Sequence, residues 1–173
     1  FWLKEFPNTE FVDIRGNGQT RLQKIEDGLA DATLFSLAGL KRLNLNIDYE
    51  ELPFMISAAS QGVIVVAGNS ENREINEILK QINHEETQIC VEAERNFLKT
   101  LEGGCTAPIG AFAEIREDKM RFVGRLCSLD GKNCIETDEI IEISKTKTFG
   151  EEIANRVLNN GGKEIMEEIS RTK

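Results

Sequence analysis

Hydrophobic and polar positions divide the chain into two regimes. From Asn83 onward the pattern is regular: Ile89, Ala93, Phe97 and Leu101 recur every four residues, with Cys90 and Leu98 widening the stripe. This predicts a helix with Asn83 as its N-cap and Glu86 three residues further on; Cys90 belongs to the core and Glu92, Glu94 and Arg95 to a solvated flank. Residues 111–116, 120–128 and 132–144 then read as three strands, separated by Glu117-Asp-Lys119 and Leu129-Asp-Gly131. Asp-Gly between apolar runs is a strong hairpin signal, so an antiparallel meander is predicted. Residues 150–159 and 162–170 supply closing helices with Ile153, Val157 and Leu158, then Ile165, Met166 and Ile169, facing inward, interrupted at Asn160-Gly161. A small α+β domain follows from this order of elements.

The first half reads differently. Phe11-Val-Asp-Ile14, Asp31 to Leu37 and Gln61 to Ala67 are apolar and β-prone, the last so uniformly that it predicts a strand buried on both faces. Helices are predicted over 22–27, with Thr20 and Gln23 as a capping box, over 38–43, and over 71–82, where Ile75, Ile78, Leu79 and Ile82 share a face. Strand, helix, strand in so few residues is a parallel α/β unit, and such units bind ligands at the carboxyl ends of their strands.

Charge narrows the function classes. The 173 residues carry a formal net charge of -9, which opposes sequence-independent binding to nucleic acid. Arg15, Arg21, Lys41 and Arg42 nevertheless give the first quarter its own basic cluster, suited to a small anion. Arg15 and Arg21 bracket a Gly16-Asn-Gly18 turn leading into a helix, where unpaired first-turn amides and the helix dipole favour negative charge. Arg21 stands where a dinucleotide fingerprint needs its third glycine. No apolar run is long enough to span a bilayer, and the opening residues lack the order of a secretory signal, so a cytoplasmic location is expected. The abrupt start, without methionine, reads as a cut piece.

Cysteine usage points to one residue. Cys90, Cys105, Cys127 and Cys134 contain no C-x-x-C, and with His84 as the single histidine no metal site is expected. Cys127 and Cys134 flank the Asp-Gly turn, where a hairpin can bring them face to face; without a secretory signal they are nevertheless expected to stay reduced and to serve packing. Cys105 lies in Leu101-Glu-Gly-Gly-Cys-Thr-Ala-Pro-Ile-Gly110, where two glycines free the backbone and Pro108 stiffens the exit. By its residues alone, this loop suits either a buried small thiol after a helix C-cap or an attachment or nucleophilic cysteine.

The segment Glu102 to Gly110, together with Arg15-Gly-Asn-Gly-Gln-Thr-Arg-Leu22, Ala38-Gly-Leu-Lys-Arg-Leu43 and Gln61-Gly62, resembles hydroxymethylbilane synthase (porphobilinogen deaminase), in order and at compatible spacing from about Val12 to the C-terminus. The resemblance implies an incomplete, periplasmic-binding-protein-like parallel α/β lobe followed by a small α+β domain with a three-stranded antiparallel sheet. It implies that residues 1–57 are the later part of a second α/β domain, 58–82 a return segment completing the first, and 83–173 the C-terminal domain. Such enzymes join four porphobilinogen units, losing ammonia, into a linear tetrapyrrole on a covalent dipyrromethane primer, and are monomers. By this resemblance Cys105 is the thioether anchor of the primer. Arg15, Arg21 and Arg42 bind pyrrole carboxylates, Ala38 and Gly39 offer backbone donors, and Gln61 borders the cleft. The catalytic aspartate of the family has no counterpart here, so the chain alone is expected to be inactive. A different class, a non-catalytic carboxylate-binding module of the two-lobed solute-receptor type, uses the same arginine turn and is separated from the first by the state of Cys105. A cysteine hydrolase is disfavoured, because five helical turns part His84 from Cys105.

Overall fold

The computed structural model describes residues 1–102 and 107–172. They form two compact units, one of residues 8–52 and one of residues 1–7 together with 53–173.

The larger unit is built around an antiparallel sheet, β1 (Ile109–Arg116), β2 (Lys119–Cys127) and β3 (Cys134–Glu142), in that order. Ile109 pairs with Leu126 and Cys127 with Cys134, so the hairpin signal at Asp130-Gly131 is realised. One face is covered by α5 (Glu85–Thr100), α6 (Phe149–Val157) and α7 (Lys163–Arg171). The predicted stripe packs there: Ala93, Phe97 and Leu101 are almost wholly buried, against Met120, Phe122 and Leu126 from β2. Phe122 sits at the centre, edge-on to Phe97 at 5.4 Å and to Phe149 at 5.9 Å. Each such ring stabilises the fold by roughly 1.5–3 kcal/mol through burial. Asn160-Gly161 breaks the last two helices as expected, with Gly161 at φ +101°, a value that favours glycine. The break turns α7 so that Ile165 and Ile169 reach the same core as Ile153 and Val157.

The N-terminal α1 (Trp2–Glu5) belongs to this unit, through stacking of Trp2, Phe6 and Phe54 and a Lys4–Glu136 ion pair. So does α4 (Arg73–Gln81), amphipathic as predicted, whose Ile75 and Ile78 are exposed.

The smaller unit holds α2 (Gly18–Glu26) and α3 (Leu37–Arg42). Phe11–Ile14, Asp31–Ser36 and, in the larger unit, Gln61–Ala67 join no ladder among the described residues, contrary to their reading as strands, and Gln61 and Gly62 lie in a turn. A strand is held by neighbours that take its amides and cover its side chains. Ile64 and Val65, with 93% and 81% of their surface exposed, have no such cover here.

Four local expectations are corrected. Helix α2 begins at Gly18 rather than Leu22, because Asn17 rather than Thr20 is its cap: Asn17 Oδ1 accepts from Thr20 N at 2.9 Å and from the Thr20 hydroxyl at 3.0 Å. Helix α5 is capped by His84, not Asn83, with Nδ1 accepting from Thr87 N at 3.3 Å. Glu94 is buried, not solvated. Cys127 and Cys134 are joined as a disulfide, because antiparallel pairing sets them directly opposite with Cα atoms 4.1 Å apart.

Candidate functional site

In the smaller unit the arginine turn and α3 are neighbours. A β-carbon built on Gly18 meets Leu43 at 3.1 Å and Phe35 at 3.6 Å, so the start of α2 rests on the segments flanking α3. Arg21 lies over the Phe35 ring at 4.3 Å, and its Nη2 donates to Thr33 Oγ1 at 2.9 Å and to the Leu34 carbonyl. Its Nε is buried without a hydrogen-bond partner among the described residues. Arg21 therefore braces the segment leading into α3, and its guanidinium is only partly available to a ligand. Arg15 is the opposite case: its side chain is 88% exposed and paired with Asp13 at 3.2 Å. Its carbonyl accepts from Lys24 Nζ at 2.9 Å, which ties the turn to α2. Arg42 is exposed at the end of α3.

Of the two backbone donors proposed on α3, Gly39 N–H is already given to Ser36 Oγ, the helix cap, at 3.1 Å. At α2 the cap consumes the Thr20 amide, while Gly18 and Gln19 occupy first-turn positions whose amides have no intrahelical acceptor. Arg15 and Arg42 thus present exposed guanidinium groups, and the first turn of α2 presents open amides; guanidiniums and such amides are groups that pair with carboxylates.

The larger unit carries Gln61 and the loop of Cys105. Cys105 lies outside the described residues, as do its neighbours from 103 to 106. The flanks are well tied. On the entry side Leu101 is 1% exposed and donates its amide to Phe97 O at 3.1 Å; on the exit side Pro108 O accepts from Cys127 N at 3.1 Å. The loop therefore spans from the C-terminal end of α5 to the first residue of β1, two elements of the same core.

Gln61 closes a turn on itself: Oε1 accepts from Ala58 N at 3.1 Å and its own amide donates to Ala58 O at 3.0 Å. It lines a cleft of about 230 Å³ with Val63, Cys90, Glu94, Phe112 and Glu114. Sequence reasoning missed Glu94. Its Oε2 accepts from Ser60 N at 2.7 Å and its Oε1 from Ala113 N at 2.8 Å, so one carboxylate joins α5, β1 and the turn before Gln61. Burial pushes its pKa up against the lowering by these two amides. The signal was available: Glu94 is four residues from both Cys90 and Leu98, on the edge of the apolar stripe. Burial, reinforced by Glu94, raises the Cys90 thiol to about 11, so Cys90 is a core thiol and not a nucleophile.

Two family models match this chain. Residues 1–77 match one described as "Porphobilinogen deaminase, dipyromethane cofactor binding domain", and residues 88–159 one described as "Porphobilinogen deaminase, C-terminal domain". The chain belongs to the porphobilinogen deaminase family. Similar curated relatives include the porphobilinogen deaminases of Pelobacter propionicus, 35% identical over 94% of this chain and 54% of that protein, and of Carboxydothermus hydrogenoformans, 36% identical over 95% and 54%. That of Alkaliphilus metalliredigens is 38% identical over 92% of the chain and 51% of that protein. The chain thus spans about half the length of the porphobilinogen deaminases it matches. Arg15, Arg21, Ala38, Gly39, Arg42 and Gln61 fall in the part matching the cofactor-binding domain, and Cys105 in the part matching the C-terminal domain. No described helix is long and apolar enough to cross a membrane, and no group of three or more potential metal ligands occurs among the described residues.

Proposed function

We propose that this chain is the C-terminal part of a hydroxymethylbilane synthase, which condenses four porphobilinogen units into linear hydroxymethylbilane with loss of ammonia. The observation that carries the reading is the pairing of two successive porphobilinogen deaminase family models with a Leu-Glu-Gly-Gly-Cys sequence that follows α5 and precedes β1. When bound, the dipyrromethane supplies the terminal pyrrole carbon to which each new unit is added. Cys105 anchors it through a thioether, a role suited to a soft sulfur nucleophile that stays attached through turnover. The acetates and propionates of the pyrroles are carboxylates, and exposed guanidiniums are their natural partners. Arg15 and Arg42 offer such groups directly. Arg21 holds Thr33 and Leu34 and so shapes the cradle as well as contributing charge. Gly39 acts through its lack of a side chain, its amide being engaged, which leaves Ala38 as the backbone donor on α3; Gln61, in the larger unit, is assigned to the cofactor by the same family reading.

The remaining architecture follows the same reading. Residues 1–57 are the later part of a periplasmic-binding-protein-like α/β domain, 58–82 return to complete another, and 83–173 form the domain bearing Cys105. The exposed Ile64, Val65 and Val66, with Ile75, Ile78 and Ile82 on and after α4, support this: such surface is normally covered. The catalytic aspartate lies in the part of the protein not represented here, and the whole works as a cytoplasmic monomer. The test is intact and peptide mass spectrometry of the full-length protein produced in a porphyrin-making host. A mass increase of two linked pyrroles on the Cys105 peptide, absent from Cys105→Ser together with its activity, is expected. An active full-length protein with an unmodified Cys105 thiol overturns the proposal.

A further inference from the structure

We propose that Cys127 and Cys134 form a thiol–disulfide exchange site, attacked at Cys134 by a small thiol, whose redox state is transmitted to the exit of the Cys105 loop. A disulfide kept for stability usually closes a stretch of chain that is otherwise open. This one closes a turn that is already shut. Within it Ser128 N donates to Asn133 O at 2.8 Å, Gly131 N to Ser128 O at 3.0 Å, Ser128 Oγ to Asp130 Oδ1 at 2.6 Å, and Asn133 N to Ser128 Oγ at 3.1 Å. The hairpin therefore keeps its register in either redox state, and the sulfur bond is free to break and reform.

The two sulfurs are not equivalent. Cys127 has no exposed surface, whereas Cys134 is partly exposed at the first position of β3. Exchange requires in-line access of the attacking sulfur, so an incoming thiolate reaches Cys134 Sγ. The attack forms a mixed disulfide on Cys134 and expels Cys127 as a thiolate, which takes up a proton. A second thiol then attacks the sulfur of the first, giving the external disulfide and leaving Cys134 as a thiol. In sum, two external thiols are oxidised to one disulfide, and two electrons and two protons pass to the protein. The reduced Cys134 thiol has an acceptor in place, the Gly131 carbonyl oxygen 3.6 Å from its sulfur.

The link to the loop is direct. The amide of Cys127 donates to the Pro108 carbonyl at 3.1 Å, three residues beyond Cys105, and the next residues pair as Leu126 with Ile109. Two thiols need more room than a disulfide. Because Cys127 is enclosed, that room comes from a shift of the end of β2, the element holding Pro108. The exchange chemistry does not rest on the proposed function; only the consequence for a tethered cofactor does.

The test uses the full-length protein. It is equilibrated with glutathione and glutathione disulfide at stepped ratios, alkylated, and read by peptide mass spectrometry, which separates this pair from Cys90 and Cys105. Expected is reversible conversion of Cys127 and Cys134 together, with glutathione trapped on Cys134 at least tenfold more than on Cys127 during reduction. Hydrogen exchange on the same samples should show the Cys127 amide protected several-fold less when reduced, with the amides of α6 unchanged. Equal trapping on both cysteines, a pair that stays as thiols across all ratios, or Cys127 amide exchange indifferent to redox state overturns the proposal. All three readouts use the unsubstituted protein, so none depends on a variant folding.

Discussion

Replacing Gly150 by alanine should destabilise the larger unit, although an alanine in a helix is ordinarily favoured over glycine by about 0.5–1 kcal/mol. Gly150 is the second residue of α6 and lies directly on the backbone of α5. A β-carbon there meets Ala93 O at 2.1 Å, Ala93 C at 2.9 Å and Phe97 N at 3.1 Å. Real β-carbons essentially never approach within 3.0 Å, so the helices must separate by about 0.9 Å, and the obstructing atoms are backbone that no rotamer change removes. The separation opens contacts around Phe97, Phe149 and Ile153, each 5% exposed or less. A gap of 0.5–1 Å forfeits about a quarter to a half of the dispersion energy across it, and overpacking costs about 1–3 kcal/mol and sometimes more. Set against the helix-propensity gain, the net is a loss of roughly 1–2 kcal/mol. With a urea dependence of about 2 kcal/mol per molar, the midpoint should fall by roughly 0.5–1 M in circular-dichroism titrations. Glu151→Ala, on the exposed side of the same turn, should stay within about 0.5 kcal/mol. An unchanged or raised midpoint for Gly150→Ala would refute the argument that the two helices touch backbone to backbone.

Other consequences are open to measurement. Glu94→Ala leaves the Ser60 and Ala113 amides without their acceptor and should cost about 2–4 kcal/mol, with both amides exchanging faster by hydrogen-exchange mass spectrometry. Because the folded-state pKa of Glu94 is raised, its contribution is complete below the ordinary 4.5 and is lost as pH rises through the raised value; that slope in urea midpoints should vanish in the variant. Asp130 behaves in the reverse sense: the Ser128 hydroxyl and the Lys132 amide hold its carboxyl down to about 2, so the hairpin turn should loosen only as pH falls from 3.8 through that value, seen as a shift of the Lys132 and Asn133 amide resonances. Arg21→Gln should destabilise the smaller unit by about 1–2 kcal/mol, losing two hydrogen bonds and the Phe35 contact, while Arg15→Gln and Arg42→Gln change stability by less than about 0.5 kcal/mol and reduce turnover of the full-length protein. The chain alone should form no tetrapyrrole from porphobilinogen; formation at the full-length rate would overturn the reading that the aspartate lies elsewhere.

Much of the larger unit was legible because its signals are local. The four-residue recurrence of Ile89, Ala93, Phe97 and Leu101, the Asp130-Gly131 turn and the Asn160-Gly161 break each specify their own geometry, and the observed elements fall within a few residues of those expected. Helix starts were misplaced where two acceptors compete: Asn17 and Thr20 are both competent caps, and His84 caps α5 with a ring nitrogen that residue preferences do not favour. Glu94 and the Cys127–Cys134 bond were missed for a different reason. Each depends on what stands opposite in space, the Ser60 turn in one case and the cross-strand register in the other, and the expectation of reduced thiols leaned on compartment rather than pairing. In the candidate site, the partition of arginines was likewise invisible: only the fold shows Arg21 turned onto Phe35 while Arg15 stays in solvent.

The uncovered run from Ile64 to Val66 also governs how this polypeptide behaves when handled. Consecutive exposed β-branched residues that join no ladder among the described residues are an adhesive edge, ready to accept a strand from another copy. Purified by itself, the chain should form concentration-dependent aggregates that Ile64→Lys suppresses; on the proposed architecture, which puts this run inside a sheet of the full-length protein, the same lysine should impair folding there.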